Sequence, residues 1–213
     1  MGTYNKGILG AFSGKVGPVV GANWRGKDIM RSLPKKSKRR ASAIQMQQRQ
    51  KFAMVSELLN GLQPVIKRYY GSDGGLKTRR NQLMSYLLKE ALLYNDPDFE
   101  WNFTKVLVSR GDLLGINAGS VSAVSGGILD FEWTDNSAQG EAEATDKLVV
   151  VVYEPTSKTT VYSLNAGSRD AEAAALALPD YLTGLAVHVW ALFAAADDKR
   201  FATSTYLGTT TVI

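Results

Sequence analysis

The pattern of apolar and polar positions changes character twice along the chain. Residues 7–33 are extended and Gly-rich, with too many glycines and one proline for a helix. Val16–Trp24 and Lys27–Leu33 read as two strands about a turn at Arg25-Gly26. From Ser42 the period becomes helical. Ile44, Gln48, Phe52, Val55, Leu59 and Leu62 recur at spacings of three and four and mark one apolar face. Asn60-Gly61 stops this helix, and Pro64 opens a second that runs to Tyr70. A third helix is expected over Thr78–Tyr94, ended by Asn95-Asp96-Pro97.

After Pro97 the pattern turns to short β-prone runs. Phe99–Val108 alternates and then becomes apolar. Ser120–Val124, Ile128–Thr134, Lys147–Tyr153, Thr159–Leu164, Ala186–Phe193, Arg200–Leu207 and Thr209–Ile213 follow, divided by turn residues. Ala171–Leu178 has helical propensity, but between strands it is expected to be a strand or a crossing segment. Seven regular short strands, with Trp133 on an early one and Tyr162 and Trp190 further on, predict a β-sandwich of immunoglobulin or fibronectin type III kind. Without cysteine, the fibronectin-like version fits better. The expected fold is therefore α+β. A basic Gly-rich β-hairpin and a helical layer form residues 1–97, and an acidic sandwich forms residues 98–213.

Composition narrows the chemistry. With 213 residues and no Cys, disulfides, thiolate nucleophiles and zinc–thiolate sites are excluded. A single histidine, His188, excludes a multi-histidine metal site or a His–His acid/base pair. Within Val187-His188-Val189-Trp190 it reads as a structural residue sharing a strand face with Ala186 and Trp190. Asp96/Asp98/Glu100 and Asp130/Glu132/Asp135 offer oxygen ligands, yet neither matches a calcium-loop pattern, so no metal or cofactor is expected. Gly7, Gly10, Gly14, Gly17 and Gly21 form no phosphate-loop motif. No catalytic residue is assigned, and the expectation is a non-enzymatic protein.

The longest apolar run, Gly184–Ala196, contains His188 and is too short to span a membrane. The N-terminus lacks the apolar stretch and cleavage site of a standard secretory signal, so synthesis in the cytoplasm is expected. Later assembly in a virion or outside the cell is compatible with the absence of cysteine.

Charge is divided along the chain. Residues 1–80 hold 17 Lys/Arg against three acids, and residues 81–213 hold eight against 17, although the net charge is only +5. Three readings follow. The basic part contacts phosphates of a nucleic acid, it contacts the acidic part of another copy head to tail, or the two parts face each other within one chain. The candidate contact residues are Lys15, Arg25, Lys27, Arg31, Lys35, Lys36, Lys38, Arg39 and Arg40. No aromatic residue interleaves the run Lys35–Arg40, which weakens base stacking there. The favoured expectation is self-assembly into a filament, tube or virion-like structure through this arm. Nucleic-acid binding is the alternative.

The runs Phe12-Ser13-Gly14-Lys15-Val16-Gly17-Pro18-Val19-Val20-Gly21, Trp24-Arg25-Gly26-Lys27, Arg31-Ser32-Leu33-Pro34 and Gln48-Arg49-Gln50-Lys51-Phe52 resemble an uncharacterised domain-of-unknown-function family common in Bacteroidota. They are also similar to small proteins encoded among phage and prophage structural genes. The first resemblance implies no function. The second implies a structural role and supplies no catalytic residue.

Overall fold

The structure is a computed structural model that describes residues 3–4, 10–24, 26–35, 40–72 and 77–213. It divides into two compact units, 1–45 with 74–76, and 46–73 with 77–213.

The first unit is a four-stranded antiparallel sheet in the order β1 (Thr3–Tyr4), β2 (Phe12–Val16), β3 (Val19–Trp24), β4 (Lys27–Ser32). The strand expected from Val16 to Trp24 is thus two strands. Val16 ends β2 and pairs with Val19 across Gly17-Pro18, where Gly17 takes φ +59°, the region glycine enters without a Cβ clash. Gly21 is required for a different reason. A Cβ there would lie 2.1 Å from the Phe12 carbonyl oxygen and 2.7 Å from the Phe12 ring.

The second unit begins within α1 (Ala43–Gly61), followed by α2 (Gln63–Tyr69) and α3 (Arg79–Glu90). Ser42 and Gln45 form a reciprocal capping box at the start of α1: each backbone N–H donates to the other's side chain, at 3.2 and 3.3 Å. Pro64 occupies the first turn of α2, and Thr78 caps α3 by accepting from the Asn81 N–H. The third helix stops at Glu90, short of the expected Tyr94. Leu92–Asn95 is β5, paired with β6 (Asp98–Trp101), and the Tyr94 and Phe99 rings meet at 5.0 Å. The cross-strand pairing overrides helical propensity over this stretch.

Seven strands follow: β7 (Asn117–Val124), β8 (Ile128–Thr134), β9 (Lys147–Glu154), β10 (Thr159–Ser168), β11 (Ala173–Ala177), β12 (Ala186–Ala194) and β13 (Thr205–Thr211). They form a three-stranded sheet in the order β11-β8-β7 and a four-stranded sheet in the order β10-β9-β12-β13, all antiparallel. The segment 171–178, helical by propensity, is mostly the strand β11. The two runs expected at Arg200–Leu207 and Thr209–Ile213 are one strand, continuous through Gly208 at φ +118° beside a register shift opposite Val189 and Trp190. Phe201 and Ala202 instead make isolated bridges to Ala194 and Leu113.

Strand β9 and most of β12 are buried. One side of their sheet meets the three-stranded sheet, where Trp133 of β8 packs edge-on against Phe193 of β12 at 5.9 Å. On the other side the Trp190 indole donates to the Val106 carbonyl at 2.9 Å. Helical residues Val55, Leu59, Leu83 and Leu87 belong to the same core as these strands. Burial on two faces explains why Leu148–Val152 is an unbroken apolar run and not an alternating one. The helices therefore share their core with the C-terminal sheets, whereas the change to β-prone runs after Pro97 suggested a boundary at 97/98.

An ionic network lies inside this unit. Arg169 is fully buried and donates from Nε and Nη2 to Asp146 Oδ2 at 3.1 and 3.0 Å, from Nη1 to Asn136 at 2.5 Å, and from Nη2 to the Leu114 carbonyl at 3.0 Å. Its guanidinium lies 4.0 Å from the centre of the Phe193 ring. Its own carbonyl accepts from the Trp133 indole at 2.7 Å.

Candidate functional site

Strand register decides which of the predicted basic residues come together. The two-residue turn after Trp24 sets Trp24 opposite Lys27, Ala22 opposite Ile29 and Val20 opposite Arg31. The turn before Val19 sets Lys15 opposite Val20. Opposed residues of an antiparallel pair share a face. Lys15, Lys27 and Arg31 therefore lie on one face of the N-terminal sheet with Val20, Ala22, Trp24 and Ile29. Asn23 holds the turn by accepting from the Gly26 N–H at 3.1 Å and donating to Asp28 at 2.9 Å.

Lys35 and Arg40 are exposed and follow the last strand of this sheet. Arg25, Lys36, Lys38 and Arg39 lie outside the described residues. Three of the nine predicted residues are thus placed on one strand face.

This sheet has an unusual property. Every described hydrophobic residue classed as buried lies at Val55 or beyond. In the N-terminal unit only Gly21 is buried among the described residues. Trp24 is 57% exposed and Met30 73% exposed. Strand β4 is exposed at all six positions and is the edge of its sheet. The apolar stripe predicted for α1 is also only half covered. Val55, Leu59 and Leu62 are buried, while Ile44 and Phe52 are 71% and 55% exposed. Sequence reasoning missed Trp24 and Ile29 as candidates; Met30 pairs with Gly21 and lies on the other face. The signal was available, because a two-residue loop at 25–26 puts Trp24 and Lys27 side by side.

The remaining chemical candidates have structural surroundings. His188 Nδ1 lies 2.8 Å from the Tyr206 hydroxyl and 3.0 Å from Thr209 Oγ1, and its ring stacks on Phe103 at 3.6 Å. These partners are hydroxyls, not a carboxylate that would raise imidazole basicity. Burial lowers its pKa below the ordinary 6.5. An unfolded chain then binds a proton that the folded one resists, so stability falls as pH drops through about 6.5. Thermal melts between pH 7.5 and 5.5 are expected to lose stability in the natural protein and to lose less in His188→Gln.

Glu154 is buried at the end of β9. Burial pushes its carboxyl up, but hydrogen bonds from Ser157 and Thr156 outweigh that and hold its pKa at about 2. It closes the β9–β10 turn. Among the described residues, no group of three or more His, Asp or Glu is placed to hold a metal ion. No helix among them is long and apolar enough to cross a membrane, and the apolar run at 184–196 is largely β12.

Residues 11–208 match a family of unknown function (DUF6266). The chain belongs to that family. The DUF6266 span starts just before β2 and ends within β13, so it reaches into both compact units. No curated protein and no solved structure matches the chain.

Proposed function

We propose that this protein is a non-enzymatic, self-assembling structural subunit whose basic N-terminal sheet docks on another copy. The observation that carries this reading is the missing core of that sheet. A strand ribbon is stable only when it buries a face against something else. Among the described residues of this sheet Val16, Trp24, Ile29 and Met30 are exposed, Phe12, Val19 and Val20 are half-buried, and no hydrophobic side chain is fully buried. Fully burying a large apolar side chain contributes about 1.5–3 kcal/mol, and on the face that bears Lys15, Lys27 and Arg31 the partly exposed Trp24 and Ile29 have surface left to bury. Exposed ion pairs are each worth only about 0–1 kcal/mol. Lys15, Lys27 and Arg31 would therefore set register and polarity, while apolar contact and strand pairing hold the assembly.

Strands β7–β13 fit a fibronectin type III-like sandwich in this reading. Counting from β7, the three-stranded sheet holds the first, second and fifth strands. The four-stranded sheet holds the fourth, third, sixth and seventh in that spatial order. A constant-type immunoglobulin domain would place the fourth strand beside the fifth. Here β10 pairs with β9, its predecessor.

Negative-stain electron microscopy of nuclease-treated protein tests the reading. Regular filaments, tubes or rings are expected at low and physiological salt. Dispersed monomers at both would overturn it.

One observation favours a second reading, nucleic-acid binding. Trp24 shares its face with Lys15, Lys27 and Arg31, which supplies the aromatic platform that the run Lys35–Arg40 lacks. Binding of that kind weakens steeply with salt, by roughly 10³–10⁵ between 50 and 200 mM for six to ten phosphate contacts. A filter-binding titration at the two salts, with no loss of retention at the higher, would remove it.

A further inference from the structure

We propose that the surface receiving the basic sheet is the outward face of the three-stranded sheet β11-β8-β7 of a second copy. This inference rests on the self-assembly reading and names its partner face. The register defines that face. Ser120 and Ala173 flank Glu132, Ser122 and Ala175 flank Asp130, and Val124 and Ala177 flank Ile128. The opposite face carries Leu129, Phe131 and Trp133 into the core.

Three properties suit this face to the role. It bears two carboxylates at its centre and no Lys or Arg in these three rows. The outward face of an antiparallel sheet is ordinarily polar and solvated, yet here the flanking positions are Ala, Ser and Val. Short side chains let a second sheet approach to about 10 Å, the normal stacking distance. The charges also correspond in layout. Lys15 and Arg31 stand two strands apart on either side of Val20, about 9–10 Å. Asp130 and Glu132 stand two residues apart along β8, about 7 Å. One row runs across its strands and the other along them, so a near-orthogonal stack aligns them. Long Lys and Arg side chains close the remaining difference.

The donor and acceptor faces are different surfaces of one chain, which makes the contact heterologous. Each subunit gives one face and offers the other, and such contacts propagate into rings or filaments.

The test uses full-length protein and two charge reversals, Asp130→Lys with Glu132→Lys on the acceptor, and Lys15→Glu with Arg31→Glu on the donor. Sedimentation velocity follows each at concentrations where the natural protein associates. Each variant alone is expected to stay monomeric with an unchanged thermal melt. An equimolar mixture is expected to associate again, because each donor then meets an oppositely charged acceptor. Recovery on mixing excludes misfolding as the cause of the loss. If Asp130→Lys with Glu132→Lys associates as the natural protein does, the acceptor face is wrong while the assembling role stands. If association is lost instead in Asp96→Lys with Asp98→Lys, the acceptor is the β5–β6 hairpin and this inference fails. If the natural protein itself never associates, both readings fall together.

Discussion

Replacing Asp146 by alanine is expected to destabilise the second unit by about 3–5 kcal/mol, the range seen when one partner of a buried ion pair is removed. The Arg169 guanidinium would stay in place, fully buried, with Nε and Nη2 stripped of their carboxylate. Asn136 and the Leu114 carbonyl accept two more of its hydrogen bonds but do not neutralise its charge. Displacing Arg169 would in turn disturb its ring contact with Phe193 and the carbonyl that holds the Trp133 indole. Both sheets lose support at once, and at roughly 2–4 °C per kcal/mol the midpoint falls by about 10 °C. The double replacement Asp146→Ala with Arg169→Met is expected to recover part of the loss, because no buried charge remains unpaired. Urea unfolding of the three proteins checks this. A single-variant loss under about 1 kcal/mol would mean that water reaches the pair.

Changing Trp24 and Ile29 to serine is expected to weaken self-association while leaving the main unfolding transition in place. Neither side chain belongs to the core that begins at Val55, so the folded second unit loses nothing. With 57% and 39% of Trp24 and Ile29 still exposed, burying the remainder against a neighbour is worth roughly half of full burial, about 1.5–3 kcal/mol, and its loss weakens association by roughly one to two orders of magnitude. Sedimentation velocity with a parallel thermal melt reads both effects. A matching fall in the melting temperature would instead assign these residues to the subunit's own stability. Retained association would move the contact elsewhere.

Local elements were legible in the sequence where one rule dominated. The three helices, the strands 128–134, 147–154 and 186–194 and the pairing of Trp24 with Lys27 follow from period, turn residues and β-branched runs. The organisation above them was less legible, because periodicity reports single elements and not which of them share a core. The change from helical to β-prone runs after Pro97 suggested a boundary there, yet Val55, Leu59 and Leu83 pack into one core with Leu148–Val152. The double-sided burial of β9 was written in its unbroken Leu-Val-Val-Val-Val run, which reads equally as an ordinary core strand without the helices in view. The candidate surface was half legible. Residue type alone picked out Lys15, Lys27 and Arg31. Their shared face with Trp24 depends on two turns, and the one at Gly17-Pro18 lay hidden inside a run that reads as a single strand.

If another copy covers the N-terminal sheet, amide hydrogen exchange across a concentration series reveals the cover. Protection of the β3 and β4 amides is expected to rise with concentration, while that of β9 and β12 is already high and does not change. Protection at β3 and β4 that is the same at every concentration would contradict the account.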